Sequence, residues 1–187
     1  KLSMFRQRLP DVHILTRETN TREQIVPLSE GALDLGLLRN TQLPDTLAWE
    51  RVLREPLLAM VPANHPLARQ PSVSLAALAR EPFVFFDPHV GTGLYDDILA
   101  LLKRYGVTPS VTQEVGEAMT ILGLVAAGLG VSILPASYRR LRLEEICWLP
   151  LEEPDAISEL WLVWAKHREL SAPARHFIEL LGETSIS

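Results

Sequence analysis

The residues best suited to chemistry in this 187-residue chain are five histidines, one cysteine and three adjacent carboxylate pairs. A helical metal site needs two ligands four residues apart, on one face. His13, His65, His89, His167 and His176 never fall at that spacing, and no HExxH occurs. Paired carboxylates can divide acid and base roles between them. Asp96 and Asp97, however, fall in a first helical turn, where the helix dipole favours negative charge. Glu144–Glu145 and Glu152–Glu153 are likewise adjacent in sequence, and acid–base work is the minority reading for all three pairs. Cys147 sits in a strand-like run, where a thiol is ordinarily buried and inert. There is no GxSxG nucleophile turn and no phosphate-binding GxxxxGKS/T loop. The GLG at 128–130 follows a helix and precedes a strand, the reverse of a dinucleotide-binding turn. The chain is therefore expected not to be an enzyme, and to carry neither a metal nor a cofactor.

Binding needs no such constellation. A helix N-terminus offers N–H groups without intrahelical acceptors and the positive end of the helix dipole, which together suit an anion. Three helix starts follow strand-like runs. They are Asn20 and Thr21; Gly91, Thr92, Gly93 and Leu94; and Gly116 and Glu117. For Thr21 and Thr92 simple N-capping explains the residue equally well, and one hydroxyl can do both. Arg39 ends a strand where a cation could pair an anionic ligand; a plain surface arginine is the alternative.

The elements that must position these residues alternate. Residues 2–8 read as the tail of a helix, with Leu2 and Phe5 on one face, and 12–18 as a strand. Asn20 or Thr21 caps a helix ending at Gly31, with Glu23 or Gln24 completing a capping box. Pro27 inside it is expected to kink or shorten it. Strands follow at 32–38, 46–54 and 56–62, then a short helix capped by Ser74. A second series begins with the strand 83–86. The helix 93–105 places Leu94, Ile98, Leu101, Leu102 and Tyr105 on one face. Strands at 111–115, 131–134, 146–151 and 160–165 and a helix at 117–127 complete it. A last helix begins at Ser171, with Phe177, Leu180 and Leu181 inward.

Such alternation predicts parallel sheets covered by helices. Two series point to two small α/β lobes, 1–81 with 155–187 and 82–154, joined by two crossover segments that form a hinge. Ligands then bind beyond the carboxyl ends of the strands, in a cleft between the lobes. Trp49, Trp148, Trp161 and Trp164 read as strand packing and Arg139, Arg140 and Arg142 as solvated surface, with an interlobe or dimer role for the arginines the minority view. The helix 117–127 is apolar on more than one face. A two-fold axis could set its Ile121 and Leu124 against Ile25 and Leu28 of a partner copy, giving a homodimer.

Composition narrows the class. The net charge of −5 argues against a nucleic-acid-binding surface on this chain itself. One cysteine excludes an internal disulfide framework. No apolar run approaches the roughly 20 residues of a membrane span, which points to a cytoplasmic protein. The chain opens on Lys1, as expected of part of a longer polypeptide.

Four segments are more specific: FRQRLPDVHI (5–14), LSEGALDLGLLR (28–39), MVPANHPLA (60–68) and LGLVAAGLGVSILP (122–135). In this order and spacing they resemble the effector-binding domain of LysR-type transcriptional regulators, over essentially the whole chain. The closing HRELSAPARHFIELL is similar to that family's last helix. The resemblance implies two Rossmann-like lobes with a two-segment hinge, the type II periplasmic-binding-protein plan. A small carboxylate, aromatic ones included, suits the interlobe cleft, because leucine and phenylalanine stand beside the threonines. The resemblance favours Thr21 as a contact to the effector carboxylate, and a homodimer, or a tetramer in the full-length protein. DNA would be reached only through an amino-terminal winged helix-turn-helix domain that this chain lacks. A solute-binding protein of transport, with a similar two-lobe plan, is the alternative reading.

Overall fold

The computed structural model describes residues 2–39, 42–90 and 93–182, which form two compact units. Unit one takes in the described residues up to Arg54 and from Glu159 onward; unit two is Glu55–Ser158. The chain thus passes between units at 54/55 and 158/159, not at 81/82 and 154/155. Residues 55–81 belong with unit two because Leu57, Met60, Leu75 and Leu78 are buried in the same apolar cluster as Phe83 and Phe86.

In unit one, α1 (Leu2–Arg8) is followed by α2 (Thr21–Glu30) and β1 (Gly36–Arg39). Phe5 is buried on α1, but Leu2 is exposed. Residues 12–18 form no ladder with another described strand, and only Val12 and Ile14 among them are half-buried. Asn20 caps α2, its Oδ1 accepting from Glu23 N–H at 2.9 Å. Gly31, at φ 76, closes the helix. The Arg168 guanidinium lies where a side chain on Gly31 would sit, and donates to the Glu30 carbonyl at 3.0 Å. Pro27 does not cut the helix short, since it stands in the last turn and removes a single bond. β1 pairs antiparallel with β7 (Ile157–Ala165), Leu38 opposite Trp161. Leu28, Leu38, Leu47 and Val163 pack together on one face. Phe5 meets Phe177 of α6 (Ala172–Gly182) edge-on, with ring centroids 5.3 Å apart.

β2 (Leu47–Pro62) is one strand of 16 residues where the sequence suggests two. Proline is tolerated in a strand only where its missing N–H is not needed. Leu57 N–H donates to the Ala156 carbonyl at 2.8 Å, so by alternation the Pro56 nitrogen faces the other side. There the ladder with β5 (Ser132–Pro135) begins only at Leu57 opposite Pro135.

In unit two, β2 pairs antiparallel with β5 and with β6 (Ile146–Pro150). β3 (Pro82–Phe86) pairs parallel with β4 (Ser110–Val115), and Val131 bridges Phe83 in the parallel sense. The all-parallel expectation thus holds only where a helix makes the crossover: α4 (Gly93–Arg104) between β3 and β4, and α5 (Ala118–Ala126) between β4 and β5. β2 enters from unit one, free of that constraint, and runs antiparallel to its neighbours. Leu94, Ile98, Leu101 and Leu102 are buried along α4, while Tyr105 lies past its end and is exposed. Gly130, at φ 155, passes so close to the Pro82 carbonyl that a Cβ would lie 2.5 Å from its oxygen. α3 (Leu75–Leu78) is capped by Ser74, whose Oγ accepts from Ala77 N–H.

Candidate ligand-binding site

The start of α2 gathers the most polar groups. Thr21, the first helical residue, is 7% exposed, and its side chain makes no hydrogen bond to another described residue. Just before it, Thr19 Oγ1 donates to Glu23 Oε2 at 2.6 Å. That hydroxyl, with further bonds from Asn20, holds the Glu23 carboxyl below its ordinary pKa. Gln24, also buried, donates through Nε2 to the carbonyls of Thr19 and Leu37, both at 3.3 Å. One side chain thereby ties the helix start to β1, and Arg39 closes that strand, half-buried, opposite Leu160. Unit one so brings together Asn20, Thr21 and the β1 strand that ends in Arg39. Sequence reasoning named Glu23 and Gln24 only as capping candidates. Gln24's tie to Leu37 spans 13 residues and left no local signal.

In unit two, Gly91 and Thr92 lie outside the described residues. Gly93 and Leu94 open α4 and are buried. Asp87, at the end of β3, donates its N–H to the Val115 carbonyl at 2.9 Å and accepts from His89 N–H at 2.8 Å. This fixes the exit of β3 beside the exit of β4, where Gly116 and Glu117 follow. Glu117 is the N-cap residue of α5 but makes no side-chain cap bond, and is exposed.

Two of the expected dimer residues are not surface. Leu28 and Ile121 are both 0% exposed, because the helical register turns them onto their own units' cores. Ile25 and Leu124 are half-buried, and the exposed apolar positions on these helices are Val26 and Met119.

Other charged groups are structural. Glu55 is buried and accepts from both the N–H and the hydroxyl of Ser137, fixing the 3-10 turn Ala136–Leu141. Asp155 accepts from Tyr105 and Arg104. The Ser158 hydroxyl, buried, donates to Asp97 at 2.7 Å. Among the described residues no cluster of three or more His, Cys, Asp or Glu could hold a metal, and no helix is long and apolar enough to cross a membrane.

The sequence model of the LysR substrate binding domain matches residues 2–185. The uncharacterized HTH-type transcriptional regulator YnfL of Escherichia coli (strain K12) is 66% identical over 97% of the chain, which spans 61% of that relative's length. The effector-binding domain of a variant of BenM superimposes with a TM-score of 0.89 at 28% identity, covering 97% of this chain and 85% of that one. The BenM domain with its effector benzoate gives 0.79 at 28% identity, covering 98% and 86%. The fold is thus the mixed α/β, type II periplasmic-binding-protein-like fold of such domains. These relatives are regulators, and the transport alternative gains no support from them.

Proposed function

Because the chain belongs to the LysR substrate-binding domain family, and is the effector-binding domain of a LysR-type regulator, we propose that its effector is a small carboxylate held in unit one at the start of α2. The observation that carries this is Thr21: the first residue of a ten-residue helix, 7% exposed, with a hydroxyl that bonds no other described residue and is not sealed off from a guest. Such a hydroxyl is available to a ligand, and the helix dipole makes a negative guest the favoured one. Arg39, at the end of the adjoining strand, supplies positive charge. In unit two, Gly93, Leu94, Gly116 and Glu117 stand at the exits of β3 and β4. BenM, whose effector is benzoate, supports the aromatic-acid class.

The chain works as a sensor, not a catalyst. Effector binding favours one arrangement of the domain over another by its differential affinity. In the full-length cytoplasmic regulator an HTH domain outside this chain reads DNA. Two copies associate through Ile25 and Val26 of one against Met119 and Leu124 of the other. Met119→Glu then gives a folded monomer in sedimentation; an unchanged dimer places the contact elsewhere.

Thr21→Val tests the site. Titration calorimetry with a panel of aromatic and aliphatic acids should show affinity lowered by about 1–3 kcal/mol, the worth of a hydrogen bond to a charged group. Unchanged affinity in a folded variant removes Thr21 from the site.

A further inference from the structure

Both passages of the chain between the units fall inside strands, β2 and β7, which are neighbours in one sheet. Four residues flank the passages: Arg54 and Glu55 on β2, Ser158 and Glu159 on β7. Each is tied within its own unit, but not equally. On the unit-two side both ties are buried. Glu55, 7% exposed, accepts from the Ser137 N–H at 2.6 Å and from the Ser137 hydroxyl at 3.1 Å. Ser158, 1% exposed, donates to Asp97 of α4 at 2.7 Å. Close to both, Leu57 N–H donates to the Ala156 carbonyl at 2.8 Å. On the unit-one side Glu159 pairs with Arg51 at 3.1 Å and Arg54 at 3.6 Å, and both arginine side chains are more than half exposed. Hydrogen bonds to a carboxylate away from water are strong, whereas exposed ion pairs are screened and hold weakly. The burial of β2 divides at the same place. From Trp49 to Arg54 it is exposed except at half-buried Val52, and from Leu57 to Pro62 it is buried.

We propose that Glu55 and Ser158 are paired anchors that fasten both crossing strands to unit two, so that flexing of the two strands is confined to their unit-one stretch, residues 50–54 and 159–160. They are positioning residues and touch no ligand. Through Asp97 the anchor at Ser158 also fastens β7 to α4, the helix that Gly93 and Leu94 open. A displacement of α4 is thereby passed to β7 at the crossing instead of being absorbed by a slack strand.

Amide hydrogen exchange on the whole chain, with no ligand added, tests this. In the wild type Leu57 should exchange about ten-fold or more slowly than the amides of residues 50–54. The double variant Asp97→Ala, Ser137→Ala removes the outer partners and leaves the strand residues themselves intact. It should speed exchange at Leu57 by about ten-fold, the effect of losing hydrogen bonds to a charged group. Val84, bonded to Val131 in unit two, and Lys166, bonded to Thr46 at the other end of β2 and β7, should keep their rates. Asp97→Asn leaves Ser158 an acceptor and should keep most of the protection at Leu57. Equal exchange on the two sides of the crossing in the wild type, or an unchanged Leu57 in the double variant, overturns the proposal. So does a loss of protection that extends to Val84, since the ties would then support unit two as a whole and not the crossing.

Discussion

Unit two packs Phe83, Phe86, Ile98, Leu102, Ile121 and Ile133 into one continuous core, whereas the buried cluster behind α2 in unit one rests on Leu28, Leu38, Leu47 and Val163. Unit one compensates with polar ties at helix ends: Asn20 and Glu23 at one end of α2, Arg168 at the other, and Gln24 binding the helix to β1. Apolar burial stabilises in proportion to area, near 25 cal/mol per Å². A net hydrogen bond contributes about 1 kcal/mol. A unit held by ties opens locally at lower free energy than one held by a core. The unit that carries the proposed carboxylate site is thus also the one expected to open more readily.

The strongest way to break this comparison is to cut both cores. Phe83→Ala should cost about 3–5 kcal/mol and Leu38→Ala about 2–4 kcal/mol. The difference in kind matters more than in size. Hydrogen exchange should show Phe83→Ala lowering protection throughout unit two, and Leu38→Ala lowering it in α2 and β1 while β3 and α4 stay protected. Equal loss across both units for either variant means that they unfold as one. A smaller effect sharpens the role of the ties. Gln24→Ala leaves two carbonyls without their donor and should cost about 1–2 kcal/mol, read as a lower midpoint in urea and faster amide exchange across α2 and β1.

The smallest effect is expected in unit two, where a polar clamp is added to a core that hardly needs it. The Tyr105 hydroxyl and then Arg104 hold the Asp155 carboxyl below its ordinary pKa. A depressed carboxyl lends stability that is present above its unfolded value and lost as pH falls through the folded one. The melting temperature of the wild-type chain should therefore fall more steeply below about pH 4 than that of Asp155→Asn. Parallel acid limbs would show the clamp to be without consequence.

What the sequence makes legible follows the same division. The α4 face, with Leu94, Ile98, Leu101 and Leu102 at helical spacing, reads directly because periodic burial leaves a periodic pattern. So do the caps at Ser74, Asn20 and Gly31, which are short-range. Pro56 misleads: nothing in the local sequence says on which side of β2 its nitrogen falls. Residues 12–18 alternate as a strand should, but a ladder needs a neighbour, and sequence alternation cannot supply one. The burial of Leu28 and Ile121 was hidden because α5 is apolar around much of its circumference and the apolar residues of α2 form one run, Ile25–Leu28, so the pattern does not say which side faces inward. At the proposed site, the helix start with Thr21 was visible as a capping pattern. The Gln24 tie and the Thr19–Glu23 contact became visible only once the chain was folded.

Trp49 and Trp161 stack in unit one, with ring centroids 4.1 Å apart and planes 12° from parallel, and Trp49 is half open to solvent. Two indoles that close and that nearly aligned share their electronic excitation. The pair therefore imposes a signature on near-ultraviolet circular dichroism that separated rings lack. One strand of the unit brings each ring, so the signature exists only while β2 and β7 lie side by side there. The domain in this way carries its own optical gauge for the less securely cored half. A small quencher reaching Trp49 and the decay of the coupled band would report, in light and without any label, when that half comes apart.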